Sequence, residues 1–282
     1  MTTYVFPGQG SQIKGMGAEL FHEFPELVAK ADNILGYSIQ HLCLHDEQQQ
    51  LNQTQFSQPA LYTINALMYY EKIAVTGKKP EFVAGHSLGE YSALLAAEVF
   101  DFATGLKLVK KRGELMSRAE AGAMTAVIGL KAEQITDHLQ RHSLHNVSIA
   151  NNNSHTQIVI SGKKQEVETA NTIFTKAGAS MVVPLKVSGA FHSPLMQSAQ
   201  LEFTNFLRDF SFNSLALPVI ANVSALPYVE HDIKNHLALQ ITQPVRWSQS
   251  IDYLLALGET EFEEIGPGKV LTGLIRRIKN GT

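Results

Sequence analysis

The stretch EFVAGHSLGEYSALLAAE, residues 81–98, sets one serine, Ser87, between two glycines, after a short apolar run and before a helix-like one. Phe82-Val83-Ala84 reads as a buried strand, and the alanine- and leucine-rich run after Gly89 reads as a helix. Gly85-His86-Ser87-Leu88-Gly89 is therefore a G-x-S-x-G turn with a strand before it and a helix after it. So sharp a turn strains the backbone at the serine. Gly85 and Gly89 keep side chains out of the way, so strand and helix can approach. The hydroxyl then projects beside a helix N-terminus, where unpaired N–H groups and the helix dipole favour negative charge. The Leu88 N–H is in position to stabilise a tetrahedral oxyanion. A plain serine N-cap is the simpler alternative, but strand, turn and helix together favour a nucleophile.

A serine hydroxyl needs a base, and eleven histidines are available. His86 adjoins Ser87, but neighbours on such a turn point apart. The others, His192 excepted, sit in polar or helical settings typical of surface or satisfied histidines. His192 lies in VSGAFHSPLM, after a strand and a glycine and before a proline at a helix start. That is a loop at a strand end, where α/β folds carry their chemistry.

Tyr4-Val5-Phe6 reads as a strand stopped by Pro7 and Gly8. Residues 16–44 carry apolar residues at helical spacing, interrupted at Pro25 and Gly36. After the polar stretch HDEQQQLNQTQ, SQPALYTINALMYYEKIAVTG reads as a helix with Pro59 near its start and Gly77 past its end. Another helix is expected from Asp101 to about Arg118. Residues 122–188 change rhythm to strand, helix, strand, strand, helix, strand. That βαββαβ order is the ferredoxin-like plan, and it reads as a small domain inserted between residues 1–121 and 189–282. The α/β pattern then resumes with a helix over about 194–209, a strand in ALPVIANV, a helix from Trp247 to Gly258 and a last strand at 262–265.

Composition narrows the function classes. The chain has 282 residues, is 44% hydrophobic and carries a net charge of −3, without the like-charge block of a nucleic-acid face. Cys43 is the only cysteine, so neither an internal disulfide nor a thiolate metal cluster can form. GQGSQIKG has Ile13 where a dinucleotide fingerprint needs its third glycine, and GPGKVL has Val270 where a phosphate-binding loop needs Ser or Thr. No metal-ligand spacing stands out, so no metal is expected. The N-terminal residues lack the pattern of a signal peptide, and no run approaches the ~18 apolar residues of a membrane span. A cytoplasmic location is the expectation.

FPGQGSQ, GHSLGE, RGELM, GAFHS and GPGKVLTGL, in this order along essentially the whole chain, make the sequence resemble the malonyl-CoA:acyl-carrier-protein transacylases. NQTQFSQPALYTINAL and FDFATGLKLVKKRGELM resemble most the free-standing acyltransferases that serve polyketide synthases, with the fatty-acid-synthesis enzymes close behind. The resemblance implies an α/β-hydrolase-like large domain with an inserted ferredoxin-like one. It implies Ser87 as nucleophile and His192 as base, with His192 oriented by the backbone carbonyl of Gln240 rather than by a carboxylate. The N–H groups of Gln9 and Leu88 would form the oxyanion hole. Arg112, which by itself reads as part of a solvated basic helix face, would fork onto the free carboxylate of a malonyl group. Phe191 would crowd a methyl branch, Met124 and Gln9 would line the same pocket, and Asn153 would approach the thioester. The expected partners are malonyl-CoA and acyl carrier protein. Phosphopantetheine would belong to the carrier, and no bound cofactor is expected. Lys186, Arg276, Arg277 and Lys279 are candidates for a basic docking face. A carrier-protein thioester hydrolase of the same fold would keep Ser87 and His192 without needing Arg112, and a non-catalytic docking module would need none of the three.

Overall fold

The computed structural model describes residues 2–187 and 189–282. In chain order its helices and strands are β1 (Thr2–Phe6), α1 (Pro25–Leu35), α2 (Ile39–Leu44), α3 (Thr54–Thr76), β2 (Phe82–Gly85), α4 (Gly89–Ala96), α5 (Phe102–Arg118), β3 (Ala123–Ile128), α6 (Ala132–Arg141), β4 (Val147–Asn152), β5 (Gln157–Gly162), α7 (Lys164–Lys176), β6 (Met181–Pro184), α8 (Gln197–Leu207), β7 (Val219–Ile220), α9 (Ile233–Leu239), α10 (Trp247–Ala256), β8 (Glu261–Glu264) and α11 (Val270–Lys279).

Four strands form a parallel sheet in the order β7-β2-β1-β8. Its central strands are apolar on both faces, as a parallel sheet covered by helices requires. Phe6 and Val83 point into one core with α3, α4 and α5, while Val5, Ala84 and Ile220 point the other way, against Trp247 and Ile251 of α10 and Leu271 and Ile275 of α11. The register decides where chemistry can occur. Phe6 pairs with Gly85, and Ala84 with Ile220, so all three strands end at one edge. The Pro7–Gln9 loop, the Ser87 turn and Asn222 leave the sheet side by side there, at the carboxyl ends of the strands where open α/β sheets bind ligands.

The second sheet is antiparallel, in the order β4-β5-β3-β6. One face is covered by α6 and α7 through Val127, Ile135, Leu139, Ile160 and Phe174. Met124, Ala126 and Val159 on the other face join the main core. The chain enters and leaves this unit side by side, since Ala121 bridges Gly189. A bulge in β4 at residue 150 accompanies its attachment to the segment before α10: Asn152 N–H donates to Val245 O at 2.9 Å, and Val245 N–H to Ala150 O at 2.8 Å.

Three expectations shift. Residues 15–23 form turns rather than helix; Gly15 and Gly17 adopt φ of 91° and 79°, a region only glycine enters freely. Pro25 starts α1 instead of interrupting a longer helix, and Gly36 ends it at φ 84°. The helix expected at Ser57 starts a turn earlier, at Thr54, so Pro59 lies inside it. The added turn carries Thr54, whose hydroxyl accepts from Gln9 Nε2 at 3.3 Å. Helices α9 and α11 were not expected as elements. No helix among the described residues is long and apolar enough to cross a membrane.

Candidate active site

Ser87 has φ 52°, a left-handed conformation that costs a non-glycine residue roughly 1–2 kcal/mol. The surroundings enforce it. A Cβ on Gly85 would collide with the Gly89 carbonyl, and one on Gly89 with the Phe6 carbonyl, so the motif glycines are required by close backbone approach. Asn222, just past β7, staples the turn: its Oδ1 accepts the Ser87 N–H at 2.7 Å and its Nδ2 donates to the Gly85 carbonyl at 2.6 Å. The Ser87 carbonyl accepts from Gln240 Nε2 at 2.9 Å. Both peptide groups of the strained residue are thus held by side chains.

His192, itself at φ 57°, brings Nε2 to 2.8 Å from Ser87 Oγ. Its Nδ1 lies 2.7 Å from the Gln240 carbonyl. A carbonyl only accepts, so Nδ1 carries the proton and Nε2 is left free to accept the serine hydroxyl. Burial and the nearby Arg112 charge push the imidazole pKa down to about 3, against the opposing bond to Gln240. The ring is neutral and able to act as a base at any physiological pH.

Arg112 is not on a solvated face. It is 1% exposed, and its head group turns inward to the serine. Nη2 donates to Ser87 Oγ at 3.1 Å and to Gln240 Oε1 at 2.8 Å, while Nη1 donates to Gln58 Oε1 at 2.8 Å. All three acceptors are neutral, and Nε has no partner among the described residues. A buried cation bonded only to neutral oxygens can receive an anion. A cavity of about 90 Å³ adjoins it, lined by Gln9, Gln58, Met124, Asn151, Phe191 and the reacting groups. Such a hollow takes a small acid rather than a long chain. Across it, the loop after β1 abuts the turn, and among the described residues neither the Gln9 nor the Leu88 N–H has an acceptor. Two free donors beside the hydroxyl can take up negative charge developing on a carbonyl oxygen.

An acyl transferase domain model matches residues 3–279. The chain belongs to that family. Within it, the chain is 58% identical to the polyketide biosynthesis malonyl CoA-acyl carrier protein transacylase PksC of Bacillus subtilis, over 99% of this chain and 97% of the relative. The crystal structure of malonyl CoA-acyl carrier protein transacylase from Burkholderia pseudomallei superposes with a TM-score of 0.96 at 50% identity, covering 100% of this chain and 99% of that one. A malonyl-transacylase solved in complex with a type II PKS acyl-carrier protein gives a TM-score of 0.94 at 38% identity, over 99% and 93% of the two chains.

Of the residues singled out from sequence, Ser87, His192, Arg112, Gln9, Met124 and Phe191 converge on this cavity, and Gln240 meets His192 through its carbonyl. Asn153 does not line the cavity; its Oδ1 lies 2.8 Å from Nε2 of His86, which does, and Asn151 is the strand residue that lines the hollow. His86 is accordingly engaged away from the serine, edge-on to Trp247. The docking candidates are dispersed. Lys186 is exposed between the cavity-lining Leu185 and Val187, whereas Arg277 donates to Gln157 Oε1 and Lys279 to the Thr260 carbonyl. Sequence reasoning missed Gln58, Asn222 and Glu90. Asn222 had a readable signal, since it follows an apolar strand at its carboxyl end, and Glu90 closes the GHSLGE motif. Gln58 had none, because its role depends on how α3 packs on α5.

Proposed function

We propose that this chain moves malonyl groups from malonyl-CoA to the phosphopantetheine thiol of an acyl carrier protein, in two steps through a malonyl-serine ester. The observation that carries the reading is the convergence of Ser87 Oγ on His192 Nε2 at 2.8 Å and on the buried Arg112 Nη2 at 3.1 Å. His192 takes the Ser87 proton as Oγ attacks the thioester carbonyl. The Gln9 and Leu88 N–H groups hold the oxyanion. As the tetrahedral adduct collapses, the carbon–sulfur bond breaks and His192 returns the proton to the coenzyme A sulfur. The carrier thiol repeats the sequence in reverse, giving its proton to His192 and leaving Ser87 free. Between the steps Arg112 grips the malonyl carboxylate, and Phe191 limits the space beside its α-carbon. No resident metal or cofactor has a part in this scheme.

Two aspects of the architecture support the same reading. Residues 1–121 and 189–282 are taken as an α/β-hydrolase-like domain that carries the reacting groups. Residues 122–188 are taken as a ferredoxin-like insert, in keeping with the strand order β6-β3-β5-β4 and with the pairing of Ala121 and Gly189 where the chain crosses over. The insert supplies Met124 and Asn151 as the roof of the acyl cavity. Service to a polyketide synthase is supported by the likeness to PksC, and Lys186 is the docking residue best sited to meet an acidic carrier.

The test is intact-protein mass after brief parallel exposure to malonyl-, acetyl- and methylmalonyl-CoA. A malonyl adduct that is absent in Ser87→Ala and discharged by holo-carrier protein is expected. Hydrolysis of acetyl-CoA as fast as malonyl-CoA, indifferent to the carrier, would defeat the proposal.

A further inference from the structure

We propose that Glu90 is a positioning residue for the transfer: through Gln240 it sets the orientation of both the His192 imidazole and the Arg112 guanidinium, and through Asn222 it ties them to the serine turn. The inference rests on the roles just assigned to Ser87, His192 and Arg112. Glu90 lies in the first turn of α4, three residues past the serine, and is 1% exposed. Its Oε1 accepts the Asn222 N–H at 2.8 Å and the Tyr228 hydroxyl at 2.8 Å. Its Oε2 accepts from Gln240 Nε2. Asn222 is the residue that staples the Ser87 turn, and Gln240 is the residue whose carbonyl faces His192.

The polarity of Gln240 is the deciding point. A carboxamide has a donor end and an acceptor end, and rotation by half a turn exchanges them. A carboxylate only accepts, so Glu90 draws the Nε2 end. The Ser87 carbonyl draws the same end. The Oε1 end is thereby left for Arg112 Nη2, 2.8 Å away. With the amide reversed, two donors would face each other and the guanidinium would be pushed from its place beside Ser87. Glu90 also supplies the negative charge that Arg112 lacks at first hand, relayed through one amide, until a substrate carboxylate arrives. A residue kept only to fill space would not be an acid, because burying a carboxylate among neutral donors is unfavourable. That cost is visible in its proton affinity: burial raises the Glu90 pKa to about 7 against the bonds from Asn222, Tyr228 and Gln240 and the charge of Arg112. The charged and titratable groups around it are Arg112 from α5, Tyr91 beside it on α4, Tyr228 from the segment after β7, and His192 beyond Gln240.

The experiment is single-turnover malonylation of Glu90→Gln, Gln240→Met and the double variant from pH 5 to 8.5, with thermal unfolding as a check on folding. Gln240→Met keeps the backbone carbonyl and removes only the amide. Wild type is expected to acylate faster as pH rises through neutrality, since His192 is already neutral and the group that titrates there is Glu90. Glu90→Gln is expected to lose that rise, to acylate on the order of 10²-fold slower at pH 8, as misplaced reacting groups do, and to discriminate less between malonyl and acetyl. The double variant is expected to be no slower than Gln240→Met. A Glu90→Gln enzyme with the wild-type rate and profile, or losses that multiply in the double variant, would overturn the proposal. If Glu90→Gln fails to fold, Gln240→Met alone decides: loss of the neutral-pH rise supports the relay, and its retention overturns it. Wild-type malonyl-serine forms under either outcome, so the transfer reaction itself is judged separately.

Discussion

At the scale of single residues, the site works through depressed and displaced properties. His192 is neutral because it is buried beside a cation, and this has a consequence for stability. Its pKa is about 3 in the fold against 6.5 for the free side chain. The unfolded chain therefore binds a proton between pH 6.5 and 3 that the folded chain refuses, and stability falls as pH drops through 6.5. Glu90 has the opposite sign: the fold keeps a proton from pH 4.5 to 7 that the unfolded chain releases, so its contribution rises as pH falls from 7 to 4.5. Chemical denaturation of wild type and His192→Gln between pH 6.5 and 4 isolates the histidine. The gap should move in favour of the variant by up to about 1.4 kcal/mol for each pH unit. A constant gap would mean that the imidazole titrates normally. Phe191 belongs to the same scale. Trimming it to serine should improve methylmalonyl loading relative to malonyl by a factor equivalent to about 1–3 kcal/mol, the ordinary worth of room for one methyl. Competition between the two thioesters, read by mass, measures it.

Among elements, the decisive relation is the register of three parallel strands. Because Phe6 pairs with Gly85 and Ile220 with Ala84, one residue earlier, the loop after β1, the serine turn and Asn222 meet without any long connection. The turn itself is unstable in isolation. Asn222→Ala would leave the partly buried Ser87 N–H and the buried Gly85 carbonyl without their side-chain partner, at about 1–3 kcal/mol for a fully buried unsatisfied group. It should lower the unfolding midpoint and slow acylation together, which thermal melts and quench-flow acylation read independently; a stability loss with unchanged acylation would show that the staple does not position the serine. This is also where legibility from sequence had its limits. The strand, turn and helix around Ser87 could be read because G-x-S-x-G, an apolar run and an alanine-rich run each carry local signals. So could the βαββαβ order, where periods change cleanly. Helix α9 could not, because IKNHLAL is only about two turns long and its N-cap residue Asp232 makes no side-chain capping bond, yet its end presents Gln240. Arg112 looked like surface because Lys110, Lys111 and Arg118 flank it; only the packing of α5 on α3 and α4 turns that one side chain inward.

In the whole molecule, a parallel sheet creates the reacting edge and an antiparallel sheet roofs it. The residues that roof the cavity, Met124 and Asn151, come from strands β3 and β4, and the serine, base and cation come from outside that sheet. Neither unit alone encloses the hollow. What the assembled molecule offers is a buried cation with neutral partners, 3.1 Å from the Ser87 hydroxyl. Hydrolases of thioesters have no use for it, whereas an enzyme that must choose an acyl group with a free carboxylate does. The measurement that bears on this most directly is the ratio of malonyl to acetyl acylation rates at Ser87, by quench-flow and intact mass, for wild type and Arg112→Ala. Strong malonyl preference is expected in the wild type, with a fall of on the order of 10²-fold or more in the variant, the scale set by leaving a buried charge without its partner. An Arg112→Ala enzyme that acylates with undiminished preference for malonyl would contradict it.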